Sequence, residues 1–332
     1  MSTNSIPQER ALVKPQEEKS ITQTLEKWYQ KRAKRDIIGK KMISAGYKAR
    51  GWAILKCGNR MAVEVCENCG RHNVRSTNLC RDKLCPVCRW RLSLRRYAEM
   101  VQTCDIMRAS APDLRYKFMT LTVKNCAPED LDSTLRAMAS AWNRITQRKF
   151  FKQAVEGTAR SVEITYNKKT GEVHPHYHVI IALHPTCTAA ETEGLRNLSQ
   201  MWQRALKVTY GPIVDVRDIE DKGITDISAA VCETFKYAVK DKTLEDMPLK
   251  AFSAMVAGIN GKRMTSFSGI FKRTRTYLGF NDADEVQDED AELKCKRCGA
   301  QMQVAIFEWA AFEGVPETAN LAELLSKARP SV

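Results

Sequence analysis

The segment RSVEITYNKKTGEVHPHYHVIIAL, residues 160–183, leaves few folds open to the chain. Two alternating runs, RSVEITYN and HPHYHVIIAL, flank KKTGEV, a turn that contains a glycine, and this arrangement predicts an antiparallel hairpin. The second run sets His174, His176 and His178 at alternate positions, so three of the chain's five histidines share one sheet face. Glu163 lies on the opposing strand and comes level with His176 and His178 if the turn is tight. Val162, Ile164, Tyr177 and Val179 then face a core. Two imidazoles and a carboxylate on one face suit a divalent cation that keeps positions open for substrate. The plainer alternative is histidines hydrogen-bonded at a sheet edge. His174 precedes Pro175 at the strand entrance and fits a ligand less well.

The same alternation predicts a strand in YKFMTLTVKN (116–125), with Thr120 and Thr122 on one face and Met119, Leu121 and Val123 on the other. ITQTLEKWYQKRAKRDIIGKKMI (21–43) reads as a basic helix. CRWRLSLRRYAEMVQTCDIM (88–107) reads as an amphipathic helix whose polar face is mostly arginine. Pro128 opens a helix with Leu131, Leu135, Met138, Trp142 and Ile145 at helical spacing. A helix with Leu195, Leu198, Trp202 and Leu206 and a strand, IVDVRDI, follow. DISAAVCETFKYAVKDK (226–242) predicts a helix capped by Asp226. Its apolar stripe is Ile227, Val231, Phe235 and Ala238, and a polar stripe of Glu233, Tyr237 and Lys240 is rotated away from it. A free phenol titrates near pH ~10 and is a poor nucleophile without help. Spacing alone therefore favours an ordinary exposed face there. Strands mixed with helices imply an α+β fold, a central antiparallel sheet with flanking helices.

Cysteine usage adds a metal module. The chain has 12 cysteines, and three pairs have C-x2-C spacing, which points to metal rather than disulfides. Cys66, Cys69, Cys85 and Cys88 have the spacing of a four-thiolate structural Zn2+ site, with Cys80 as an alternate ligand and Cys57 near it in sequence. Cys295 and Cys298 are half of a ribbon completed elsewhere, or complete nothing. Lys and Arg exceed Asp and Glu by 53 to 39, a net charge of +14, which favours a polyanionic partner. Basic residues dominate from Arg71 to Lys117, whereas residues 282–292 carry seven acids in eleven positions. Arg81, Arg89, Arg91, Arg95 and Arg96 are the expected DNA-phosphate contacts; Trp90 and Tyr97 read as core. No apolar run approaches the roughly 20 residues needed to span a bilayer, so no membrane role and a cytoplasmic location are expected.

FMTLTVKN (118–125), HPHYHVIIAL (174–183) and ETFKYAVKDK (233–242), in that order, resemble the three motifs of the HUH endonucleases. More narrowly, the chain resembles the single-tyrosine replication initiator (Rep) proteins of rolling-circle plasmids from Gram-positive bacteria. CRDKLCPVCRWRLSLRR (80–96) resembles that family's cysteine–arginine signature and SFSGIFK (266–272) its later motif, so the likeness covers about residues 57–280. The resemblance implies that His176 and His178, with Glu163, hold a catalytic Mg2+ or Mn2+. It implies that Tyr237 attacks a phosphodiester at the double-strand origin, joins the 5′ phosphate and leaves a 3′ hydroxyl primer. Glu233 would activate water at termination and Lys240 assist at the phosphate. Partners would be single- and double-stranded origin DNA and the host helicase and polymerase. Expected domains are a basic, partly disordered extension (1–50), the cysteine-rich zinc and DNA-binding module (51–100), the nickase domain (110–280) and an acidic linker with a C-x2-C tail (281–332). The competing readings are a zinc-ribbon regulator that binds nucleic acid without catalysis, and an HUH transposase or relaxase.

Overall fold

The hairpin read from residues 160–183 lies in the middle of a five-stranded antiparallel sheet. The computed structural model describes residues 21–187, 197–219, 224–235, 241–280, 294–295, 297–308 and 329–330. The N-terminal residues 1–20, Leu195 and the acidic stretch 282–292 lie outside the described residues. In chain order the elements begin with α1 (Ile21–Ser44), α2 (Lys48–Lys56), β1 (Arg60–Cys66), β2 (His72–Thr77), α3 (Pro86–Ser110) and β3 (Arg115–Thr122). Next come α4 (Leu131–Thr146), α5 (Lys149–Ala154), β4 (Val155–Tyr166), β5 (Val173–Leu183), α6 (Leu198–Leu206) and β6 (Val214–Ile219). The last are α7 (Ile224–Thr234), α8 (Asp241–Asp246), α9 (Leu249–Ile259), β7 (Thr265–Ser268), α10 (Gly269–Tyr277), β8 (Met302–Glu308) and β9 (Arg329–Pro330). Helix α7 already runs at Ile224, so Asp226 sits inside it rather than capping it.

The chain divides into two units. Gln30–Gly58 and Asn78–Val286 form the larger; Met1–Tyr29, Asn59–Thr77 and Gln287–Val332 form the smaller. The expected 51–100 module is therefore not one body. Its middle is a hairpin whose strand β1 pairs with C-terminal strand β8, while its flanks belong to the other unit. Nor is the C-terminal tail a separate piece, because β8 adds directly to that hairpin in a sheet of order β2-β1-β8-β9. Strand pairing across some 240 residues cannot be read from local composition.

In the larger unit the order is β6-β3-β5-β4-β7, all neighbours antiparallel. Central β5 is covered on both faces, which explains why its second half, VIIAL, is apolar without alternation. One face packs Tyr116, Ala159, Ile180 and Ala182 against Met100, Cys104 and Met107 of α3, Val231 of α7 and Phe271 of α10. On the other, Tyr177 meets Trp202 of α6 at 6.2 Å, and the Arg160 guanidinium lies 4.3 Å over Tyr177 and 5.6 Å from Trp142 of α4. Each fully buried large apolar side chain contributes about 1.5–3 kcal/mol, so the sheet that carries the histidines is rigidly sandwiched.

The SFSGIFK segment turns from β7 into α10 at Gly269, whose φ is +54°. A Cβ there would fall 1.9 Å from the Glu156 carbonyl oxygen and 2.7 Å from the Gly157 Cα. Both the left-handed backbone and the close approach of β4 require glycine. Gly269→Ala should lose about 3 kcal/mol of unfolding free energy, read as a lower urea midpoint with unchanged slope; a shift within error would refute the close approach.

Candidate functional site

Pairing of β4 with β5 sets Glu163 opposite His176 and Ser161 opposite His178. The Glu163 carboxylate consequently reaches both rings: its Oε2 is 3.3 Å from His176 Nε2 and 3.0 Å from His178 Nε2. The three ligand atoms all lie within 4.8 Å of one another. Cis positions of an octahedral ion with bonds of about 2.1 Å are about 3.0 Å apart, so the spacing fits three ligands on one side of such an ion. Val162, Ile164, Tyr177 and Val179 are all buried, as the alternation requires.

Contacts behind the rings fix their orientation. His176 Nδ1 is 3.4 Å from the His174 carbonyl, and His178 Nδ1 is 3.4 Å from Thr120 Oγ1. An ion at this point would replace the contact with Glu163, and Nδ1–H of His176 donating to the His174 carbonyl would then leave the Nε2 lone pair for the metal. Phe118 stacks on the His178 ring at 5.6 Å. Burial pushes the Glu163 carboxyl up, but hydrogen bonds and charge from His176 and His178 outweigh it and hold it well below the usual carboxylate range. The site is thus prepared to present a carboxylate, not a carboxylic acid. His174 stands apart: its ring is 5.3 Å from that of His176, and burial, then the neighbouring His176, hold it below the ordinary histidine value. It lines an adjoining cleft of about 500 Å³ with Asn125, Asn167, Lys168 and Lys169. That polar, basic surface suits a phosphate-bearing strand.

A sequence model of the family described as Replication protein matches residues 71–314. The chain belongs to the replication-protein family. "Protein rep" of Lentilactobacillus hilgardii is 32% identical over 240 residues, covering 70% of this chain and 76% of that protein. "Replication protein" of Staphylococcus aureus is 33% identical over 211 residues, covering 60% and 88%. "Protein rep" of Bacillus amyloliquefaciens is 26% identical over 311 residues, covering 83% and 91%. No solved structure matches the chain. The likeness to Rep proteins of Gram-positive bacteria, drawn from the motifs, thus holds for most of the chain. Among the described residues no helix is long and apolar enough to cross a membrane.

Tyr237 and Lys240 of this replication-family chain lie outside the described residues, between α7 and α8. The ends of that interval are described. On one side the Ser161 hydroxyl, on the strand position facing His178, donates to the Thr234 carbonyl, and half-buried Glu233 sits beside this anchor. On the other, the buried carboxylate of Asp241 accepts Lys31 Nζ at 2.7 Å and the Arg89 guanidinium. Ser161 and Asp241 were not singled out from sequence, because their partners are 73 and 152 residues distant.

Arg89 is only 6% exposed and committed to Asp241, so its expected contact with DNA phosphate is corrected. Arg95 pairs with Glu99, which also takes buried Arg275 at 2.8 Å, and Arg96 donates to Thr265. Arg91 is half-buried; Arg81, in a left-handed turn, is exposed. The arginine face of α3 therefore turns largely inward, while Leu92 and Leu94 are exposed at 39% and 47%. Trp90 is buried and Tyr97 packs on the core, as expected. Removing one member of a buried pair leaves the other uncompensated, typically at about 3–5 kcal/mol. Since Lys31 still serves Asp241, Arg89→Ala should cost about 3 kcal/mol in denaturant unfolding, against less than about 0.5 kcal/mol for Arg81→Ala. Equal costs would remove the structural role of Arg89.

The cysteines differ most from expectation. Cys66 and Cys69 do not join Cys85 and Cys88. Instead Cys57, Cys80, Cys85 and Cys88 gather, with Cys88 Sγ at 3.4 Å from Cys57 Sγ and 3.6 Å from Cys80 Sγ. The reason is the hairpin. Cys66 ends β1 at the turn, whereas Cys57 and Cys80 flank the open end, where Gly58 N donates to the Asn78 carbonyl and Asn78 Nδ2 to that of Lys56. Seven strand residues separate the two ends by roughly 20 Å. Amides of Arg81 and Cys80 donate to Cys88 Sγ and Cys57 Sγ at 3.2 and 3.4 Å. Hydrogen bonds from Cys57, Cys85 and Cys88 hold the Cys80 thiol low, while its bond to Cys80 pushes Cys57 up. Four sulfurs within 4.8 Å of one another suit a structural four-thiolate metal.

Proposed function

We propose that the protein initiates plasmid rolling-circle replication as a site-specific DNA nickase and strand transferase. The observation that carries this reading is the convergence of Glu163, His176 and His178, with the strand position facing His178 tied to the end of α7 three residues before Tyr237. An Mg2+ or Mn2+ ion held by these three residues would polarise the scissile phosphate and spread its developing charge. The Tyr237 oxygen attacks phosphorus, losing its proton to a base. The bond from phosphorus to the 3′ oxygen breaks, and its electron pair leaves with that oxygen, which is protonated to the 3′ hydroxyl. Lys240 pairs with the phosphate. At termination Glu233 takes a proton from water, whose oxygen bonds phosphorus. The bond from phosphorus to the leaving oxygen breaks, and that oxygen is protonated as the 5′ end is released as a phosphate. Zinc held by Cys57, Cys80, Cys85 and Cys88 would brace the start of α3, which delivers Arg89 to Asp241. Host helicase and polymerase would extend the primer, in the bacterial cytoplasm.

Supercoiled plasmid carrying the cognate origin, incubated with protein and Mn2+, should give open circles bearing protein on the 5′ end, and EDTA should prevent both. Origin binding without any adduct under either condition would instead identify a non-catalytic zinc-ribbon regulator.

A further inference from the structure

Two segments from distant parts of the chain make the same turn. At Cys66 the amide donates to the Arg71 carbonyl at 2.8 Å, and the Gly70 amide returns to the Cys66 carbonyl at 2.9 Å. At Cys295 the amide donates to the Ala300 carbonyl at 2.8 Å, and the Gly299 amide returns to the Cys295 carbonyl at 2.8 Å. Gly70 and Gly299 have φ of +68° and +72°, and a Cβ at either would meet nothing within 4 Å. Glycine there serves the left-handed backbone, not close packing. The Arg71 amide bonds Cys69 sulfur as the Ala300 amide bonds Cys298 sulfur. These are two copies of one knuckle, each offering two sulfurs, the second of which is backed by a backbone N–H.

Pairing of β1 with β8, with Cys66 opposite Met302, brings the knuckles together. Cys66 Sγ is 3.5 Å from Cys298 Sγ, and Cys69 Sγ is 3.5 Å from Cys295 Sγ and 3.6 Å from Cys298 Sγ. All four sulfurs lie within 4.8 Å of one another. Bridged sulfurs would be about 2.05 Å apart in exclusive pairs, whereas four thiolates about 2.3 Å from one zinc are about 3.8 Å apart and mutually adjacent. Cys69 has two near partners, one more than a disulfide allows. Met302 and Ala300 pack on the cluster, and Cys66 and Cys295 are buried.

We propose that Cys66, Cys69, Cys295 and Cys298 form a second structural Zn2+ site, independent of the Cys57–Cys88 cluster, through which the C-terminal knuckle completes the β1–β2 hairpin. The smaller unit is then a zinc ribbon assembled from two remote pieces of chain, and its folding is conditional on metal. Soft thiolate donors in tetrahedral array select zinc over the harder ions that suit Glu163, His176 and His178.

Metal content of the full chain, by native mass spectrometry and elemental analysis, tests this without reference to nicking. The parent should carry two zinc ions, Cys298→Ser one, and Cys298→His two, since imidazole can replace a thiolate. Limited proteolysis should cut Cys298→Ser in its C-terminal segment at least about 10-fold faster than the parent. One zinc in both parent and Cys298→Ser, iron in place of zinc, or loss of both ions in Cys298→Ser would overturn the proposal. Should the serine variant prove insoluble, the parent and histidine variant decide: two ions in each sustain the site, one in each removes it.

Discussion

His178→Ala should lower origin nicking by on the order of 10³-fold and weaken Mn2+ binding in parallel. Lewis-acid assistance to phosphoryl chemistry is worth several kcal/mol, and about 4 kcal/mol corresponds to about 10³ in rate. The His178 Nε2, 3.0 Å from Glu163 Oε2, is one of three donors gathered at this point among the described residues, so its loss leaves two of them. The fold should survive. Losing the stacked contact with Phe118 and the bond to Thr120 costs about 1–2 kcal/mol, small beside the stability of a domain. His174→Ala supplies the contrast. Its ring neighbours the centre without belonging to the ligand set, and its removal should change nicking by less than about 10-fold. Manganese titration followed by electron paramagnetic resonance, beside nicking rates, checks both. Equal effects at positions 174 and 178 would mean that the ligand assignment is wrong.

Much of the Glu163, His176 and His178 cluster is legible in sequence because it depends on short-range rules. Alternation assigns faces, a short glycine-containing turn sets the register, and together they bring Glu163 level with His176. The same rules failed where partners are remote. C-x2-C spacing says that Cys66 and Cys69 act together, but which second pair they meet depends on β1 pairing with β8, and Cys66 and Cys298 are 232 positions apart. The charged face of α3 misled for a related reason. A run of arginines reads as solvated unless buried carboxylates await it, and Asp241 and Glu99 are such carboxylates. Helical periodicity reports which residues share a face, not which face meets water.

Tyr237→Phe should abolish the covalent protein–DNA adduct and reduce nicking at least about 10³-fold, with metal and origin binding unchanged. The substitution removes one oxygen and leaves the ring, so a purely structural tyrosine would tolerate it with little loss, whereas a nucleophile cannot. The Thr234 carbonyl is bonded to Ser161, the residue opposite His178, and three residues of chain reach at most about 11 Å. The segment's far end is held at Asp241 by Lys31 and Arg89. Both anchors belong to the unit that carries Glu163, His176 and His178. Peptide mapping of the adduct formed by the parent should find DNA on the peptide containing Tyr237. An adduct of equal yield in Tyr237→Phe, mapped to another side chain, would transfer the nucleophile there while leaving the metal assignment intact, because the His178→Ala result is independent of which hydroxyl attacks.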